Sequence, residues 1–253
     1  MNFKPDSPKK QNSFFEVDDV RVYGEHSGSL RVEELKQLEI KIENIMHIVR
    51  HFTGLSVESR SKLVGQELQN GEQRQIIDDT FVNAQLESTG SKFNDKLQDP
   101  DQIIQLCKDL IIHSVQSGKD VAWVKETGGD FSAKLQVDVS AEMKKQIGLS
   151  VDDKLGTASV IPITPEIEEK VSKQQRGKGE AKDLVQINVI ENIPTPQTDT
   201  LIIEIKKREE NSAPYLYTAY TGTLAPSLPR PETQSAEELE YNQTWWNRHA
   251  FIK

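Results

Sequence analysis

Residue types able to do chemistry crowd into one stretch of this chain, between Thr218 and Phe251. Thr218-Ala219-Tyr220-Thr221-Gly222 leads through Pro226, Pro229 and Pro231 to Trp245-Trp246-Asn247-Arg248-His249. Terminal segments are usually polar and frayed. Cleavage of RNA by attack of a 2'-hydroxyl on the adjacent phosphate needs a base, an acid for the leaving oxygen, and cationic or hydroxyl donors for the charged phosphorane. It needs no metal. His249, Arg176 or Arg248, Thr218 and Tyr220 are residue types that would serve. Histidine titrates near neutrality, arginine grips phosphate oxygens as a fork, and Tyr220 or Trp246 can stack on an unpaired base. Lys178, in the turn Arg176-Gly177-Lys178-Gly179, adds a second cation where backbone N–H groups can cradle a phosphate. A structural reading competes for the same residues: Tyr215, Tyr217, Tyr220, Trp245, Trp246 and Phe251 as the core that locks a last helix onto a sheet, with the prolines stiffening the loop between them.

Other local signals are weaker. Gly128-Gly129-Asp130-Phe131 matches the start of the diguanylate cyclase signature, but Phe131 stands where an acid is required, and the flanks read as a hairpin turn. His47 and His51 have a spacing that suits a metal on a helix, yet no third ligand is near, and they read as two surface histidines beside an apolar stripe. Cys107 is the single cysteine and lies in the apolar run Ile103–Cys107, so it reads as a buried structural thiol in a reducing compartment. No cofactor is implied.

The elements that must position these groups follow from pattern and composition. The 253 residues suffice for one to two domains. A net charge of −9 argues against coating nucleic acid by bulk electrostatics. Residues 171–253, however, carry 10 Lys and Arg against 11 Asp and Glu, with basic clusters at Arg176, Lys178 and Lys182 and at Lys206-Lys207-Arg208. No apolar stretch approaches the roughly 20 residues of a membrane span, and the polar beginning has no signal-peptide pattern. The expectation is therefore a soluble protein of the cytoplasm, or one delivered to a target cytoplasm, with no membrane partner.

Residues 1–29 read as a flexible lead, with Phe14–Tyr23 alternating like a short strand. Residues 30–95 form a helical accessory region, in which Leu35, Leu38, Ile42, Ile45, Met46, Val49 and Phe52 mark a single helix from Val32 to Phe52. One or two more helices, broken near Asn70-Gly71, follow. Ser88–Asp99 has loop composition and marks the preferred boundary. Asp99-Pro100 then opens a helix with an acidic cap and a proline at its first position. Strands are expected at 121–124, 135–139, 157–163, 184–190, 201–205 and 215–220, and short helices at 141–147, 165–174 and 235–249. Residues 96–253 thus predict an α+β domain, a mixed and largely antiparallel sheet with a closing C-terminal helix.

The Thr218-Ala219-Tyr220-Thr221-Gly222 strand and the Trp246-Asn247-Arg248-His249-Ala250 ending make residues 100–253 resemble the C-terminal domains of the barnase, EndoU, colicin and RelE-like nuclease superfamily of phage and polymorphic bacterial toxins. The resemblance implies a toxin-like ribonuclease acting by 2'-hydroxyl transesterification, with His249 as acid or base, Arg176 as phosphate clamp and Thr218 as hydroxyl donor. Tyr220, Arg248, Trp246 and Lys178 would bind the RNA substrate, and an immunity or docking protein would be the partner. The alternative is a non-enzymatic protein-interaction module or a structural protein of a mobile element.

Overall fold

The computed structural model describes residues 14–70, 73–126, 129–176 and 185–253. Phe14–Val17 (β1) and Val20–Tyr23 (β2) form a hairpin turned by Asp18 and Asp19, whose positive φ angles of 45° and 68° short polar side chains tolerate. Glu25–Ser29 (β3) follows. The stripe from Val32 to Phe52 is not one helix. Val32–Leu35 (α1) and Ile42–Val49 (α2) are separated by an extended stretch in which Glu39 bridges Tyr215. Val57–Leu63 (α3) is capped by Ser56, which accepts from the Ser59 amide. The expected helix break at Asn70-Gly71 falls between paired strands, Glu67–Asn70 (β4) and Gln73–Ile76 (β5), and Asp79–Leu86 (α4) comes next under an Asp78 cap.

Pro100–Gln116 (α5) begins as the sequence predicts: the Asp99 carboxylate accepts from the Asp101 amide, and Pro100 stands where its missing N–H is harmless. Then come Ala122–Lys125 (β6), Phe131–Asp138 (β7), Ala141–Gln146 (α6), Gly156–Thr157 (β8) and Val160–Pro162 (β9). The expected helix at 165–174 does not form. Apart from a single 3-10 turn at Glu168–Lys170, the chain extends into Val171–Arg176 (β10), because the polar segment has no apolar stripe and gains its backbone bonds from Val185–Ile190 (β11) instead. The chain closes with Gln197–Thr198 (β12), Thr200–Lys207 (β13), Tyr215–Thr221 (β14), Ala236–Asn247 (α7) and His249–Ile252 (β15). A strand, not the expected helix, is therefore the last element.

The fold is α+β. A five-stranded antiparallel sheet runs β14-β13-β7-β6-β3, and a four-stranded sheet runs β10-β11-β15-β9, in which β11 and β15 are parallel. On the inner face of the larger sheet, Trp123, Leu135 and Ile203 pack against Ile103, Cys107 and Leu110 of α5. Leu30, Ile48, Phe52 and Phe93 share that core, so the 30–95 stretch is built into the same interior as α5, and β3 completes the sheet beside β6. The other side of α2 seals a smaller core, where Met46 and Val49 meet Leu63, Leu68, Ile77 and Val82. On the four-stranded sheet, α7 buries Trp246 against Ile187, Val189 and Phe251. Among the described residues no helix is long and apolar enough to cross a membrane.

Candidate functional site

The three residues predicted to catalyse RNA cleavage, His249, Arg176 and Thr218, stand on two different sheets. His249 opens β15, half-buried, with its ring stacked on Trp245 at 3.6 Å between centroids and 5° between planes. Its Nδ1 lies 2.8 Å from the Trp245 carbonyl, which can only accept, so Nδ1 carries the proton. Burial lowers its pKa, and the Trp245 carbonyl opposes that only in part. Arg248 is exposed and ends α7, its own carbonyl accepting from the Ile163 amide. Trp246 is buried, and its Nε1 donates to the carbonyls of Pro226 and Ser227 at 3.2 and 3.3 Å, so the indole pins a loop where base stacking was expected.

Arg176 ends β10 opposite Val185, in the same sheet as His249. The registers put the two backbones two strand spacings and two residues apart, roughly 12 Å. Lys178 lies outside the described residues. Thr218 and Tyr220 belong to β14 of the other sheet, Thr218 opposite Glu204 and Tyr220 opposite Ile202. Tyr220 stacks on His51 at 5.5 Å, as Tyr217 meets His47 at 5.3 Å, so the two histidines expected at the surface, His47 in α2 and His51 in the turn after it, tie this segment to the edge strand.

A different constellation emerges on the outer face of the larger sheet. Side chains alternate along a strand, so while Ile203 and Ile205 of β13 enter the core, Glu204 and Lys206 point out, beside Lys134 of β7. Glu126 follows β6. Lys206 Nζ stands 2.9 Å from Glu126 and 3.4 Å from Glu204, and Lys134 Nζ 3.6 and 3.9 Å from the same carboxylates. The Ser132 hydroxyl donates to Glu204 at 3.1 Å. These four charged side chains are only 14–28% exposed. Burial pushes the Glu126 carboxyl up, but Lys134 and Lys206 outweigh it and hold it below its ordinary value. Burial likewise works against the Lys206 ammonium, and Glu204 and Glu126 outweigh it, leaving its pKa raised.

This quartet floors a cleft of about 720 Å³. Its walls are Arg21 and Tyr23 of the β1–β2 hairpin, the loop 225–234, and Glu238 and Asn242 of α7. The loop is held from both ends: the Leu224 amide donates to Gln136 Oε1 at 2.8 Å, and Gln234 Nε2 donates to the Leu228 carbonyl at 2.9 Å. Beyond the loop lies a smaller hollow of about 330 Å³, bounded by Lys173, Gln186, Asn188 and Asn247, and Arg230 borders both. Among the described residues no three His, Cys, Asp or Glu side chains gather in a metal-holding group.

Sequence reasoning passed over the quartet because Lys206-Lys207-Arg208 reads as one basic cluster. The strand separates its members. Lys206 faces the cleft, whereas Lys207 is 3% exposed, over the Trp123 ring at 4.5 Å and 3.4 Å from Glu34. The signal that could have found the site is a charged residue at every second position among isoleucines, Glu204-Ile205-Lys206.

No protein family matches the chain, and no curated protein matches it. The solved structures that match include a conserved hypothetical protein from Toxoplasma gondii ME49, 10% identical, over 59% of this chain and 85% of that one, with a TM-score of 0.37.

Proposed function

We propose that the protein is a non-enzymatic binding module that receives a polar ligand in the cleft on its five-stranded sheet. The observation that carries this reading is the floor quartet, in which Glu126, Lys134, Glu204 and Lys206 neutralise one another at 2.9–3.9 Å. The opposing charges hold Glu126 and Lys206 in their ionised forms at neutral pH. General acid–base catalysis needs a group that exchanges its proton near the working pH. Groups held this firmly orient and hydrogen-bond a ligand instead. The ribonuclease expectation draws less support, since Thr218 is carried by a different sheet from His249 and Arg176.

The test is direct. Purified full chain and its His249→Ala variant are incubated with total bacterial RNA and with tRNA, and the products are run on a gel. Intact RNA from both is the expected result. Discrete fragments from the native chain that vanish with the variant would overturn the binding reading in favour of metal-independent RNA cleavage.

A further inference from the structure

The cleft also specifies what kind of ligand it would take. Its floor is electrically closed, since each lysine lies within 3.9 Å of both carboxylates. On the walls Arg21 is paired with Glu16 at 3.6 Å, and Arg230 and Glu238 oppose each other in sign. A ligand with net charge gains from one set of these groups and loses to the other. A hydroxyl loses to neither, because it accepts from an ammonium while donating to a carboxylate. The floor has capacity to spare, since an ionised carboxylate offers about four acceptor sites and an ammonium three donors.

The second observation is independent of the charges. Asn242 lines the cleft from α7 and is 1% exposed, and neither its Nδ2 nor its Oδ1 has a hydrogen-bond partner among the described residues. Buried amides are nearly always satisfied, so an exception calls for a cause. The unpaired donor and acceptor of this amide match a ligand that offers an acceptor and a donor on neighbouring atoms. Vicinal hydroxyls do so, and they also fit the alternating ammonium and carboxylate groups of the floor.

We infer that the cleft is a binding site for a neutral saccharide, held through vicinal hydroxyls by the Asn242 amide and by the Glu126, Lys134, Glu204 and Lys206 quartet. The inference rests on the binding-module reading. The cleft volume of about 720 Å³ falls within the range of small-molecule sites.

The experiment is an NMR titration of the isotope-labelled full chain with glucose, galactose, mannose, N-acetylglucosamine, maltose, cellobiose and lactose, and separately with inorganic phosphate and diglycine. At least one sugar is expected to shift the Asn242 side-chain amide resonances at millimolar concentration. The near-isosteric Asn242→Leu variant should keep the native backbone spectrum and bind that sugar at least about tenfold more weakly. Glu204→Gln, which removes a floor charge without changing size, should weaken it by a similar factor and serves if Asn242→Leu does not fold. Silence of the cleft resonances toward every sugar overturns the inference, as does a sugar response that both variants leave unchanged. Shifts produced by phosphate or diglycine and not by sugars overturn it too, while leaving the binding-module reading in place. RNA cleavage dependent on His249 would instead remove that reading itself.

Discussion

His51 illustrates how much a single position depends on partners distant in sequence. Its Nδ1 lies 3.0 Å from the Ser91 carbonyl, and its ring is stacked on Tyr220 and edge-on to Phe93. Burial pushes its pKa down to about 4, against a smaller opposing pull from Ser91. In an unfolded chain the imidazole titrates near 6.5. Between those values the unfolded state binds more protons than the native state, so stability falls as pH drops from about 6.5 toward about 4. His51 keeps some exposed surface, and a loss of about 2 kcal/mol across that window is expected. Chemical denaturation at stepped pH checks it: the His51→Gln variant should lack this slope, and an equal slope in both proteins would refute the assignment. No spacing rule reveals a contact to Ser91, which is why the sequence reads His51 as a surface residue. Cys107 was legible for the opposite reason. It shares the apolar face of α5 with Ile103, Ile104, Leu110 and Ile111, so it is 0% exposed and burial raises its thiol pKa.

Among elements, the loop between α4 and α5 does more than its composition suggests. Lys92 Nζ donates to the carbonyls of Arg50 and Leu86 at 2.7 Å each, and to that of Phe52 at 3.3 Å. It thereby satisfies carbonyls at the C-terminal ends of α2 and α4, where a cation also meets the helix dipole favourably. The Lys92 amide donates to Thr157 Oγ1 at 3.0 Å, and Phe93 bridges Gly156, where a side chain would strike the Lys92 carbonyl and the Thr221 hydroxyl. Replacing Lys92 by Met keeps the aliphatic stem and removes the donors, with an expected cost of about 1–3 kcal/mol. Thermal melting should register this as a fall of several degrees, and an unchanged midpoint would show that the ammonium contributes nothing. A helix with a cap and a full stripe, such as α5, and strands of alternating or continuous apolar character, such as β13, were readable in advance. The break between α1 and α2, the β4–β5 hairpin and β10 were not. Glu39 and β10 form backbone bonds with segments that lie further along the sequence, at Tyr215 and β11, while β4 and β5 are short polar strands with no apolar alternation to mark them.

For the whole molecule, the relevant question is which parts can fold without the others. Composition placed a boundary near residue 95, yet Leu30, Ile48, Phe52 and Phe93 pack with α5 and the sheet, and β3 lies at the sheet edge. A fragment of residues 96–253 would expose the apolar surface those side chains cover. It is expected to bind a hydrophobic dye and to melt without a sharp transition, whereas a cooperative melt of that fragment would support the boundary. The candidate site depends on the same long-range assembly, since its floor comes from the middle strands and its walls from the first hairpin and α7. The place of β15 between β11 and β9 has a further consequence, this one in time. A chain leaves the ribosome N-terminus first, so β9 and the β10–β11 pair emerge well before the strand that joins them. Until residues 249–252 are free, the smaller sheet is two separate pieces, with Ile161 and Ile190 not yet covered by Ala250 and Ile252. That sheet closes only once residues 249–252 have emerged, and a polypeptide stopped just short of His249 would present those bare edges to the cell's proteases.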